Sequence, residues 1–159
     1  EIHHVFGRAY PLQVCLGMRD DAAVSTDGEL QLVLRTKQRE REKVFKAGMK
    51  RILLWEIEKQ LEIWTKRMAI PESRITAVTI RVMKSRWGSC RRVTGRFSFA
   101  LDLVTKPKEC IEAVVVHELC HLFAAGHGAD FYARMETYLP DYKERDRLLA
   151  SLPREFAYV

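Results

Sequence analysis

What this chain lacks narrows its class first. No apolar run in its 159 residues approaches the roughly 20 needed to span a bilayer, so no membrane role is expected. Its four cysteines, Cys15, Cys90, Cys110 and Cys120, form no CxxC pair and no dense framework. Reduced thiols in a cytoplasmic protein are therefore expected in place of a disulfide scaffold. Internal repeats, low-complexity tracts and a Gly-rich phosphate loop are all absent. The N-terminal residues have no signal-peptide character, but the chain starts at Glu1, so a native N-terminal segment is expected to be missing.

Acidic residues are also missing over one long interval. From Ser73 to Leu101 the chain carries Arg74, Arg81, Lys84, Arg86, Arg91, Arg92 and Arg96 with no carboxylate among them. Formal net charge is +6 and the pI is near 9.3, so a nucleotide or nucleic acid at residues 74–96 is a possible anionic partner. The other reading of the same run is a solvated strand-and-loop face. Residues are 47% hydrophobic and 30% charged, which fits one folded domain over 1–159.

Periodicity divides the chain into elements. Ala9 to Val14 reads as a short strand, and Ala22 to Arg35 as a hairpin around Thr26-Asp27-Gly28. Apolar residues at helical spacing predict a long helix from Arg39 to Met68, with Gly48 as the weak point where it could break and Pro71 closing it. Ile75 to Met83 alternates as a half-buried strand. A loop from Ser85 to Arg92 and a turn at Val93-Thr94-Gly95 lead into a second strand, where Phe97, Phe99, Leu101 and Leu103 share a face. Pro107 suits the first turn of a helix reaching about Ala125. Two shorter helices follow, the last opening on a capping-box-like Asp141 and Glu144 and ending near Pro153.

Within the helix from Pro107 lies His117-Glu118-Leu119-Cys120-His121, an HExxH that puts two imidazoles one turn apart on one face. Both can reach one metal ion. A catalytic zinc takes three protein ligands and keeps a fourth position open, so a third is needed. His127 follows Gly126, which can adopt the left-handed conformation that turns the chain back toward the metal. Glu118 sits about 100° round the helix from His117. From there its carboxylate can lie beside the reacting water as a general base without ligating. Cys120 is displaced from the histidine ridge and reads as a small buried hydrophobe. His3 and His4 have no partner pattern, and neither is given a role.

The spacing of His117, His121 and His127 matches the metzincin pattern, but Ala124 stands in place of its glycine. Met135 falls in an expected helix and marks no evident Met-turn. The chain more closely resembles the bacterial YgjP-like metallopeptidase domain, related to the SprT and WLM groups. The resemblance rests on Met83-Lys84-Ser85-Arg86-Trp87-Gly88-Ser89-Cys90 and on Val114-Val115-Val116-His117-Glu118-Leu119-Cys120-His121, and continues through Leu139 to Arg145. It implies an α+β, zincin-like fold with a small, largely antiparallel sheet packed against the HExxH helix and further helices. It also implies zinc on His117, His121 and His127 with Glu118 catalytic. Two departures bear on the shape of the cleft: Ala100 where the family has Asn, and Gly128-Ala129-Asp130-Phe131-Tyr132 where it has Ser-x-x-Phe-Trp.

Zinc-dependent hydrolysis of a peptide or protein, held by strand addition to a sheet edge, is the leading functional expectation. Arg86, Trp87 and Tyr132 are candidates for substrate contact, and Arg86, Tyr132 and Tyr138 for steadying the oxyanion. One alternative is metal-dependent nucleotide pyrophosphatase activity using Lys84, Arg86, Arg91 and Arg92. Another is a SprT-like, nucleic-acid-associated protease in which Trp87 stacks on a base.

Overall fold

The computed structural model describes residues 1–16, 20–25, 30–34 and 41–156. Strands β1 (Ile2–Val5) and β2 (Arg8–Leu16) form a hairpin whose two-residue loop, Phe6-Gly7, has positive φ at both positions, 50° and 79°. That sign pattern suits the right-handed twist of paired strands. The sequence does not suggest a strand ahead of Ala9, because Ile2 to Val5 is too short to display alternation. β3 (Asp21–Val24) and β4 (Leu30–Leu34) pair antiparallel, as the hairpin reading requires. The expected turn Thr26-Asp27-Gly28, the hairpin's end at Arg35 and the helix start at Arg39 lie outside the described residues. β4 also pairs parallel to β2, giving the sheet order β1-β2-β4-β3.

Helix α1 (Arg41–Arg67) runs without interruption through Gly48. The expected break is absent because Gly48 serves a packing contact. A Cβ there would lie 2.3 Å from the Cβ of Ala22 and 2.8 Å from its carbonyl oxygen, so only glycine lets β3 lie this close. Val44, Met49, Leu53, Ile57, Leu61 and Trp64 form the buried stripe of α1. The solvent face carries ion pairs such as Lys46–Glu42 and Lys66–Glu62. The helix closes with Ile70 N–H donating to the Thr65 carbonyl while Ala69 takes a φ of 53°, a Schellman-type ending with alanine where glycine is usual.

A second sheet, in the order β5-β7-β6, combines β5 (Ala77–Arg81), β6 (Gly88–Arg91) and β7 (Arg96–Ala100). β5 runs parallel to β7, and β6 pairs antiparallel with β7 on its other side, which leaves β6 as an edge. Two sequence expectations change here. The stretch expected as a loop from Ser85 to Arg92 contains strand β6. The strand expected to run through Leu103 stops at Ala100 and tightens into a 3-10 turn, Leu101–Thr105, with all five of its residues buried.

Helix α2 (Lys108–Cys120) occupies the centre of the molecule. Cys110, Ile111, Ala113, Val114, Val115, Val116, Leu119 and Cys120 are all buried, so it is covered nearly all round. α3 (Ala129–Tyr138) and α4 (Tyr142–Ser151) pack against it. The expected capping box at Asp141 does not form. Its carboxylate instead pairs with Arg145 at 3.0 Å, and Arg145 also reaches Glu112 of α2 at 2.7 Å. Beyond α4, buried Asp102 accepts hydrogen bonds from the backbone N–H groups of Glu155 and Phe156 at 2.6 and 2.7 Å. Arg154 stacks 3.8 Å from the Trp87 ring centroid and donates to the carbonyls of Met83 and Arg86.

Candidate metal centre and cleft

The helical repeat sets His117 and His121 on one face of α2, where their Nε2 atoms are 3.3 Å apart. His127 brings its Nε2 to 3.2 Å from that of His117 and 3.1 Å from that of His121. The route to His127 differs from expectation. α2 ends at Cys120, not near Ala125, and Gly126 is not among the glycines with positive φ. The turn is made by N–H groups of His121, Leu122 and Phe123 bonding three residues back, which tightens the helix end.

Within that turn, His121 Nδ1 lies 3.0 Å from the Ala124 carbonyl oxygen. A carbonyl only accepts, so Nδ1 carries the hydrogen and Nε2 presents its lone pair to the other two rings. Burial, together with its two histidine neighbours, pushes the pKa of His117 down to about 4. His121 is lowered as well, by burial and His127 against the Ala124 hydrogen bond. Both rings are thus held in the neutral form that binds metal. A tetrahedral zinc with Zn–N bonds near 2.0–2.1 Å separates its ligand atoms by about 3.3 Å, and the observed triangle is of that size. These three residues could hold a metal ion.

Phe131 of α3 backs the triangle, with its ring centroid 4.8, 4.7 and 4.9 Å from those of His117, His121 and His127. Phe131 is the one named position of the family's Ser-x-x-Phe-Trp that this chain keeps, but its place behind the histidines does not follow from residue type alone. Cys120 is wholly buried with its pKa pushed up to about 12, as suits a packing residue.

The imidazoles open into a cleft of about 670 Å³. α2 forms its floor, edge strand β6 one wall, and Asp146, Leu149 and Ala150 of α4 the other. Glu118 is buried beside the triangle, and burial raises its pKa to about 7 against the opposing charge of Arg86. Gly88 of β6 lies directly over it: a Cβ there would be 3.0 Å from Glu118 Cγ and 3.2 Å from Oε1. Burial and Glu118 push the Cys90 thiol up to about 11, with Arg74 pulling the other way.

Of the residues picked out from the sequence for substrate contact, Arg86 and Trp87 line the cleft. Tyr132 does not. It is exposed on α3, with its ring against Phe131 and Tyr142. Tyr138 packs edge-on to Trp64, away from the cleft. Of the four cations weighed for a polyphosphate, Arg86 and Arg92 line the cleft and Lys84 and Arg91 do not, while the α4 wall has no counterpart in the sequence reading. An amphipathic helix in a sequence does not announce which cavity its face borders.

Among the described residues no helix is long and apolar enough to cross a membrane. No curated protein matches this chain. Among solved structures it is similar to the metallopeptidase zymogen abylysin of Pyrococcus abyssi, with a TM-score of 0.53, 24% identity, and coverage of 62% of this chain and 96% of that one. It is also similar to the metallopeptidase zymogen jannalysin of Methanocaldococcus jannaschii, with a TM-score of 0.51, 20% identity, and coverage of 59% and 93%. At these identities the likeness is one of fold: mixed α and β, with small sheets beside the histidine-bearing helix. Residues 1–152 match the family described as YgjP-like, metallopeptidase domain, and this protein belongs to that family of metal-dependent enzymes acting on peptide or protein substrates.

Proposed function

We propose that the chain is a single-domain zinc peptidase in which His117, His121 and His127 hold the metal and Glu118 is the general base. The observation that carries this is the convergence of three imidazole Nε2 atoms to within 3.3 Å, next to a buried carboxylate on the same helix. Imidazole donors in a small tetrahedral set suit zinc better than the oxygen-seeking magnesium. Bound zinc supplies Lewis-acid polarisation of the scissile carbonyl and acidifies water. The protein does the rest. Glu118 takes a proton from the attacking water and returns it to the departing amine, a duty matched by its elevated pKa, while a cation on the imidazoles adds its own attraction for the carboxylate form. The free edge of β6 lets an extended peptide add as a further strand above Glu118, and Arg86 stands where it can donate to the carbonyl oxygen as charge develops.

Elemental analysis of protein purified without a histidine tag or chelator tests the metal. Near-stoichiometric zinc is expected, and none in His117→Ala. Glu118→Gln should retain zinc and lose about 10²- to 10⁴-fold in turnover of a quenched fluorescent peptide. Manganese, magnesium or no metal in the wild type would sink the zinc assignment, and undiminished turnover in Glu118→Gln the assigned base.

A second reading, nucleotide phosphoanhydride hydrolysis, draws on Arg86 and Arg92, which line the cleft. It is the weaker one, because phosphate chemistry of that kind usually calls for oxygen ligands and magnesium. Assay of nucleoside triphosphates alongside the peptide separates the two. Neither the family nor the similar structures support a nucleic acid as ligand.

A further inference from the structure

Beside the cleft lies a second cavity of about 580 Å³ that the proposed chemistry does not use. Ile70, Pro71, Leu122 and Phe123 give it apolar walls, and Arg74 and Arg92 stand at its edge. Arg92 also lines the main cleft, so the two spaces adjoin. Val93, fully exposed at the tip of the β6–β7 turn, borders the same cavity and offers apolar surface that only an occupant would cover.

Neither arginine is engaged by a carboxylate among the described residues, a condition they share with Arg81, Arg86, Arg91 and Arg96; what sets these two apart is that both border the same apolar cavity. Arg41, Arg51, Arg134 and Arg145 each pair with a carboxylate. Among the described residues, neither Arg74 nor Arg92 has a carboxylate within ion-pair distance or a side-chain hydrogen bond. Two unpaired guanidinium groups over apolar walls match a side chain with a short methylene stem and an anionic end.

Position along β6 gives the register. Gly88 lies over Glu118 and so marks the bond to be cut. Arg92 is four residues further on, about 13 Å at the rise of a strand. A peptide added antiparallel, as β7 is on the other side of β6, runs toward Gly88 from the Arg92 end. Its residues ahead of the scissile bond therefore lie toward the second cavity.

We propose that this cavity is a substrate subsite for an acidic side chain, glutamate best, three or four residues N-terminal to the bond cleaved. Its methylenes pack on Leu122 and Phe123, and its carboxylate is held between Arg74 and Arg92. The inference rests on the peptidase reading above and names a substrate class for it.

The test uses quenched fluorescent decapeptides carrying Glu, Gln or Lys at each position in turn. Turnover is measured with the zinc-loaded wild type, and equilibrium binding with Glu118→Gln. We expect glutamate at the third or fourth position ahead of the cleaved bond to be favoured over lysine by about tenfold or more in both measurements. The preference should weaken at high salt and reverse in Arg74→Glu/Arg92→Glu. Equal treatment of the three residues, a preference confined to positions after the cleaved bond, or an order unmoved by the charge reversal would overturn the subsite. Cleavage without charge preference removes the subsite alone. Charge-ordered binding without cleavage, lost in Arg74→Glu/Arg92→Glu, keeps the cavity as an acidic-side-chain site but overturns the peptidase reading and with it the position counted from a cleaved bond.

Discussion

Replacing Gly88 by alanine should slow catalysis without emptying the metal site. The added Cβ would stand 3.0 Å from Glu118 Cγ, 3.2 Å from Oε1 and 3.2 Å from Val114 Cγ1. Ordinary carbon contacts begin near 3.5 Å, so the Glu118 side chain must retreat by about half an ångström or the strand must lift. A displacement of 1 Å in a catalytic group costs about 10²-fold, so a shift of half that size costs about tenfold in kcat. Holding Glu118 in place against the new methyl would appear as lost stability, about 1–3 kcal/mol for overpacking. The assay is peptide turnover at saturating substrate, with zinc content and a urea titration on the same preparation. Wild-type kcat together with wild-type stability would refute the close approach of β6 to Glu118. Loss of zinc would show instead that Gly88 shapes the histidine triangle.

Gly48→Ala separates two opposed effects. Alanine in an open helix position stabilises by about 1 kcal/mol over glycine, but here the methyl would overlap Ala22 of β3, and overpacking should reverse the sign to a net loss of about 1–2 kcal/mol; a higher melting temperature would contradict this contact. Ala69→Gly should stabilise by about 0.5–1 kcal/mol, because a φ of 53° strains alanine and not glycine, and a lowered denaturation midpoint would argue against that ending of α1. Burial would raise the pKa of Glu56, but hydrogen bonds from Lys59 and Gln60 and the charges of Lys108 and Lys59 more than offset it and hold the group below its ordinary 4.5. A depressed carboxylate adds stability above its unfolded pKa and loses it as pH falls through the folded value. Glu56→Gln should therefore be less stable than wild type at pH 7 and converge with it in the acid limb below about pH 4; parallel curves would refute the coupling.

The chemistry was easier to read from the sequence than the walls around it. His117 and His121 declare themselves because one turn of helix is a fixed geometric step, and the proposed roles of His127 and Glu118 follow by counting from that helix. α1 was also readable, since the buried stripe from Val44 to Trp64 is long enough to outweigh local noise. β6 was not. Gly88-Ser89-Cys90-Arg91 has neither β-branched residues nor apolar alternation, and it is a strand because β7 pairs with it. Leu101 and Leu103 continue the alternation of Phe97 and Phe99, yet the backbone tightens after Ala100 and buries them in a 3-10 turn. Gly48 misled for a related reason: in isolation it weakens a helix, and its use appears only when Ala22 lies across it. Tyr132 and Tyr138 show that a side chain's residue type does not reveal which surface it borders.

The anchoring of residues 154–156 gives the cleft a distant handle. Arg154 grips Trp87 and the Met83 and Arg86 carbonyls, while Asp102 clasps the next two backbone N–H groups. The loop that carries Arg86, the side chain proposed to meet a substrate, is thus tied to the far end of the described chain, like a window sash held by its cord. A change that loosens residues 154–156 would be felt as a change in how firmly Arg86 is aimed, without touching any of the three histidines.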